Sequence, residues 1–139
     1  MNHTLSLETP PHPEDARLIE QGLLNYNRQF VEVDGYQRLA IILRDENQTL
    51  FGGLLGDLYW SWLHISILWL DESVRGQGYG SQMLKLAEEE AARRGCHGVN
   101  LDTMSFQALA FYERYGYTIF GVLEDHPIGH TRYFLKKKL

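Results

Sequence analysis

Val74-Arg75-Gly76-Gln77-Gly78-Tyr79-Gly80-Ser81-Gln82-Met83 sets three alternating glycines behind an arginine. An apolar run from Leu63 to Leu70 ends just before it, and a helical pattern starts inside it. A helix start exposes unpaired backbone N–H groups and carries a partial positive charge. Glycines there let a bulky anion reach those groups without meeting a Cβ. Arg75 adds a fixed cation with planar donors, and a pyrophosphate is the natural occupant. The spacing is not G-x-G-x-x-G, because Met83 stands where the third glycine belongs. It is not the Gly-Lys-Ser/Thr phosphate loop either. Taken alone, the stretch reads equally as turn glycines ahead of a helix.

Outward from this stretch the elements fall into order. Thr4 to Glu8 reads as a short strand. Pro13 suits a first helical position, with Glu14 and Asp15 at the positive end of the dipole. Ile19, Leu23, Tyr26 and Phe30 recur at helical spacing, so a helix is expected from Pro13 to about Asn27. Tyr36–Arg44, Thr49–Tyr59 and Leu63–Leu70 read as three strands joined by hairpins. Beyond Gly78, Met83, Leu84, Ala87 and Ala91 line one helical face, and Gly95 suits its C-terminal cap. Val99–Asp102 is a short strand, Ser105 can cap a helix running through Tyr115, and Tyr117–Leu123 and Thr131–Lys137 are the last strands. A strand, glycine loop, helix and strand in succession join two parallel strands by a right-handed crossover. The sheet is therefore mixed and mostly antiparallel, and the class is α/β (α+β). No linker divides the chain, and one domain over residues 1–139 is expected.

The composition excludes several functions. The chain has 139 residues and a formal net charge of -5, with a pI of about 5.6. That argues against nucleic acid as a partner, since phosphate binding needs a basic surface. It leans toward a cationic ligand, although solubility alone accounts for a modest negative charge. Cys96 is the one cysteine, so there is no intramolecular disulfide, and no Cys/His spacing reads as a metal site. A cytoplasmic location is the default. Met1–Pro13 has no signal-peptide core, and no apolar run approaches the roughly 20 residues of a membrane helix.

Two segments carry a resemblance. Leu68-Trp69-Leu70-Asp71-Glu72-Ser73-Val74-Arg75-Gly76-Gln77-Gly78-Tyr79-Gly80-Ser81 resembles the acetyl-coenzyme A motif of the GNAT N-acetyltransferase superfamily. There an apolar strand runs into Arg/Gln-x-x-Gly-x-Gly/Ala; Arg75, Gly78 and Gly80 fill those places. Ala108-Leu109-Ala110-Phe111-Tyr112-Glu113-Arg114-Tyr115-Gly116-Tyr117 is similar to the family's later helix-to-strand segment. The order of elements matches too, and the resemblance covers nearly the whole chain. Glu124–Leu139 resembles short bacterial members without assigned substrates.

The resemblance implies a GNAT fold in which two parallel strands, Leu63–Leu70 and Val99–Asp102, splay apart around the pantetheine arm of acetyl-coenzyme A. The backbone of Leu68, Trp69 and Leu70 would pair with that arm, and the amides of Gln77 to Ser81, Gly76 and Tyr79 among their neighbours, would hold the pyrophosphate. Ser105 stands where many relatives have a cofactor-contacting asparagine; it also reads as a helix cap. The implied activity is acetyl-CoA-dependent transfer to a primary amine, most readily of a small molecule. Acetylation of a protein N-terminus or lysine, or silent acyl-CoA binding, are the alternatives. No metal is implied, and a homodimer is left open.

Such a transfer needs a neutral amine, a donor for the oxyanion and a proton for the thiolate. Tyr112 falls on the family's tyrosine facing the cofactor sulfur and is the candidate acid; a packed helix tyrosine is the other reading. The backbone N–H of Leu68 would polarise the thioester carbonyl. His64 is the candidate base, matching a proton-path histidine of the arylalkylamine branch. Without a bulge, His64, Ser66, Leu68 and Leu70 share one face of their strand. His64 also reads as a packed residue beside Trp60 and Trp62. Asp57, Glu124, Asp125, His126 and His130 lie near strand ends, Asp125–His130 reads as a turn, and Lys136–Lys138 as a solvated tail.

Overall fold

The computed structural model describes residues 1–139. The chain divides into two compact units, Met1–Asp34 and Gly35–Leu139. The first unit holds α1, Pro13–Asn27. His12 Nδ1 accepts the Glu14 N–H at 3.2 Å, and Pro13, which lacks an N–H, occupies a position where none is needed. Arg17 grips the Glu14 carboxylate at 2.6 Å across one turn. None of the α1 residues is buried. The strand expected at Thr4–Glu8 is absent; a strand exists only through a hydrogen-bonded neighbour, and five alternating residues do not create one.

The second unit is a six-stranded sheet: β1 Gln37–Arg44, β2 Leu50–Tyr59, β3 Trp62–Leu70, β4 Gly98–Met104, β5 Thr118–Glu124 and β6 Thr131–Lys138. The strand order is β1-β2-β3-β4-β6-β5. Every neighbouring pair is antiparallel except β3 and β4. The crossover between those two carries α2, Tyr79–Arg93, and a short α3, Leu109–Arg114, follows β4. On one sheet face, Leu54, Leu58, Leu63, Ile65, Val99, Leu101 and Leu135 pack with Met83, Leu84, Ala87 and Ala91 of α2. β2 reaches this packing by alternation, with Gly52, Leu54, Gly56 and Leu58 buried between half-buried neighbours. At Gly52 a Cβ would fall 2.7 Å from Leu70 Cδ2, so only glycine lets β2 and β3 close there.

A bulge in β3 decides which side chains face which way. Leu55 pairs with Ile67 and Gly56 with Ile65, so Ser66 is an extra residue. Its hydroxyl donates to the Leu55 carbonyl at 3.1 Å. The bulge returns Leu68 and Leu70 to the core side with Leu63 and Ile65, and leaves His64 on the opposite side. The common face that His64, Leu68 and Leu70 would share without a bulge is therefore not formed.

Two further expectations change. α3 begins at Leu109, four residues after Ser105, and its entry is fixed instead by Thr103, whose Oγ1 accepts the Ala108 N–H at 3.2 Å. Lys136–Lys138 belong to β6 rather than to a tail. Lys137 Nζ lies 2.9 Å from the Glu88 carboxylate, which also accepts the Tyr117 hydroxyl at 2.7 Å. Burial, and then that bond, hold the Tyr117 phenol far above its ordinary range.

Candidate active site

β4 pairs with β3 only from Trp62/Gly98 to Ile65/Leu101. Beyond that point the strands part, and the β3 edge from Ser66 to Leu70 has no strand partner on the β4 side. A cleft of about 580 Å³ fills the gap. Leu68, Trp69, Leu70, Arg75, Gly80 and Tyr112, all anticipated from the sequence, line it. His64, Ser105 and the loop residues Gly76, Gln77, Gly78, Tyr79 and Ser81 do not.

The glycine loop sits at the far end of the cleft. Gly78 is the N-terminal cap of α2 with φ +85°, a left-handed conformation that glycine adopts without a Cβ penalty. Having no side chain, it offers no capping oxygen, and the N–H groups of Tyr79, Gly80 and Ser81 find no acceptor in the chain. Arg75 Nε donates to the Leu70 carbonyl at 2.9 Å, which fixes the guanidinium against the end of β3. Gly76 and Gln77 complete the loop, and the Ser81 hydroxyl turns back to donate to the Gly78 carbonyl at 3.0 Å. Free amides, a helix N-terminus and a held guanidinium form a donor set for a diphosphate.

Tyr112 stands on α3, only 7 % exposed, its ring edge-on to Phe111 at 5.1 Å and to Tyr117 at 5.8 Å. Its hydroxyl makes no hydrogen bond within the protein. It is not sealed off either, because Arg132 Nε is the one buried side-chain nitrogen or oxygen left without a partner. The hydroxyl therefore opens to the cleft. Burial first, and then the charge of Asp102, push its pKa up to about 12, so at neutral pH the phenol keeps its proton.

His64 lies elsewhere. Its Nδ1 is 2.7 Å from Asn100 Oδ1, and Asp57, which takes the Tyr36 hydroxyl, is its register partner on β2. Ser105 is tied to β6: its Oγ accepts the Thr131 N–H at 3.0 Å.

The sequence reading overlooked Asp102, Thr103, Phe106, Gln107 and Phe111, all of which line the cleft. Gln107 Oε1 accepts the Met104 N–H at 2.8 Å and helps shape the turn into α3. Asp102 pairs with Arg132 of β6 at 2.9 Å. A signal for it existed: ligands collect at the carboxyl ends of parallel strands, and Asp102 ends the strand expected at Val99–Asp102. Elsewhere, no cluster of three or more His, Cys, Asp or Glu could hold a metal, and no helix is long and apolar enough to cross a membrane.

The model of the acetyltransferase (GNAT) family matches residues 2–117. Acetyltransferase Atu2258 of Agrobacterium fabrum (strain C58) is 39 % identical over 139 residues, covering 99 % of both chains. Blasticidin-S acetyltransferase of Streptomyces morookaense is 42 % identical over 95 residues, 68 % of this chain and 70 % of that one. A solved acetyltransferase from Bacillus cereus ATCC 14579 superposes with a TM-score of 0.89 at 36 % identity, covering 99 % of this chain and 98 % of that chain. With its splayed parallel strands, its glycine loop and relatives that match it from end to end, the chain belongs to the GNAT family and is an N-acetyltransferase.

Proposed function

We propose that the chain transfers the acetyl group of acetyl-coenzyme A to the primary amine of a small molecule. The observation that carries this reading is the Tyr112 hydroxyl, unpaired and open to the cleft where β3 and β4 part. The name of the Streptomyces morookaense relative, which specifies a small-molecule antibiotic, favours a small acceptor over a protein one.

Acetyl-coenzyme A, when bound, supplies an acyl group on a thiolate leaving group. The residues of this chain do the rest. The N–H groups of Tyr79, Gly80 and Ser81, with Arg75, hold the diphosphate. The unpaired β3 edge at Leu68, Trp69 and Leu70 offers peptide groups to the amides of the extended arm. Tyr112 holds a proton at its phenol oxygen for the departing sulfur. The acceptor nitrogen gives up one proton as it is acylated, and water in the open cleft returns one to the phenolate, so the protons balance. The test is coenzyme A release against a panel of primary amines, with product identified by mass. Release that depends on added amine supports the reading; acetyl-coenzyme A binding without amine-dependent release overturns it.

A further inference from the structure

The cleft is electrically lopsided along its length. Arg75 is its one cationic lining residue and Asp102 its one anionic one. Asp102 follows Leu101, the partner of Ile65, so it sits where the strands begin to part. Arg75 is bonded to the carbonyl of Leu70, four residues beyond Ser66, or about 13 Å along the strand. The cationic end and the anionic end are therefore well separated, and the anionic end adjoins Tyr112, whose proton affinity Asp102 raises.

Asp102 is held in place from behind. Arg132 Nη2 donates to Oδ2 at 2.9 Å, and the structure gives Oδ1 no partner. Asp102 is about a quarter exposed at its side chain. It shares the non-core sheet face with Ile67 and Trp69, which are 53 % and 47 % exposed, and Phe106, also lining the cleft, is 56 % exposed. Large apolar side chains lining the same cleft as one unfilled carboxylate oxygen describe a receptor for an ammonium group on an apolar body.

We propose that Asp102 is the acceptor-specificity residue, which binds the ammonium of a cationic amine whose apolar or aromatic body lies against Ile67, Trp69 and Phe106. The inference rests on the transferase reading for its biological meaning, but binding is testable without turnover. The carboxylate orients the amine beside Tyr112 before the amine loses its proton to water and attacks.

The experiment is equilibrium dialysis of 2-phenylethylamine, cationic at neutral pH like a lysine amine, and of its neutral isostere 2-phenylethanol, with and without coenzyme A. The wild-type protein should bind the amine at least about 10-fold more tightly than the alcohol, the discrimination given by one charged hydrogen bond. Asp102→Asn should erase the preference while leaving alcohol affinity and coenzyme A binding intact. If Asp102→Asn does not fold, the double variant Asp102→Asn with Arg132→Gln removes the pair without stranding a charge, and it too should lose the preference. Equal affinity for the two probes in the wild type, no binding of the amine, or an undiminished preference in a folded variant would each overturn the proposal. Amine-dependent coenzyme A release is measured separately, so failure of the transferase reading remains distinguishable from failure of this one.

Discussion

Tyr112→Phe removes one oxygen and keeps the ring that packs on Phe111 and Tyr117. The hydroxyl has no protein partner to lose, so stability at neutral pH should stay within about 0.5 kcal/mol of the parent. If the phenol delivers the proton to the leaving sulfur, single-turnover acetyl transfer should slow by about 10²-fold, or about 2.7 kcal/mol in the barrier. The loss should appear in kcat and kcat/KM alike, since the proton matters only as charge develops on sulfur. A second signature is independent of activity. The phenol titrates near 12 in the folded protein and at 10.0 when unperturbed. Below pH 10 both states hold the proton, and the stability contribution is complete. Between pH 10 and 12 the unfolded chain releases it and the folded chain does not, so stability falls as pH rises. Over that window the parent should lose about 2 to 3 kcal/mol that Tyr112→Phe does not. Chemical denaturation at stepped pH reads this difference, and rapid-quench transfer reads the rate. Parental transfer in Tyr112→Phe, with chemistry shown to limit turnover, would refute the assignment of Tyr112 as the acid.

Other perturbations follow from the same geometry. Gly78→Ala forces a Cβ onto φ +85° and should cost about 1–2 kcal/mol of stability, while the melting-temperature rise given by acetyl-coenzyme A should shrink; an undiminished rise would reduce the loop to a turn. His64→Ala breaks the bond to Asn100 and should lower stability by about 1 kcal/mol with the pH–rate profile unchanged; loss of a near-neutral limb would reinstate His64 as a base. Leu54→Ala, at a site with no exposure, should destabilise by about 2–5 kcal/mol in urea titration without altering cofactor affinity of the folded fraction.

The central crossover was readable because it is written locally. An apolar run, glycines with room for left-handed backbone, and a helical stripe from Met83 to Ala91 each specify one element, and the order then dictates parallel strands. The bulge at Ser66 was not readable as a position, since nothing in Ile65-Ser66-Ile67 states which residue goes unpaired. That one residue moved His64 off the face of Leu68 and onto the face of Ile67 and Trp69; it lies outside the cleft because β3 and β4 are still paired at His64 and Asn100. Ser105 was misplaced for a similar reason: a serine ahead of a helical pattern is a good cap locally, but Thr103 and Gln107 reach the turn first once β4 extends to Met104. The place of Tyr112 and Arg75 on the cleft wall was legible because a motif fixes them against neighbours in sequence. The place of Asp102 on the cleft wall was not legible, because its partner Arg132 lies thirty residues later and one strand away.

The most direct test incubates the protein with acetyl-coenzyme A labelled in the acetyl group and a panel of small primary amines, and follows both the labelled product and the free thiol. Transfer to a small amine predicts thiol release that requires an amine, with one labelled N-acetyl product formed per thiol released. Tight acetyl-coenzyme A binding with thiol release no faster than spontaneous hydrolysis, for every amine in the panel and for lysine- and N-terminal peptides that would mark a protein acceptor, would contradict it.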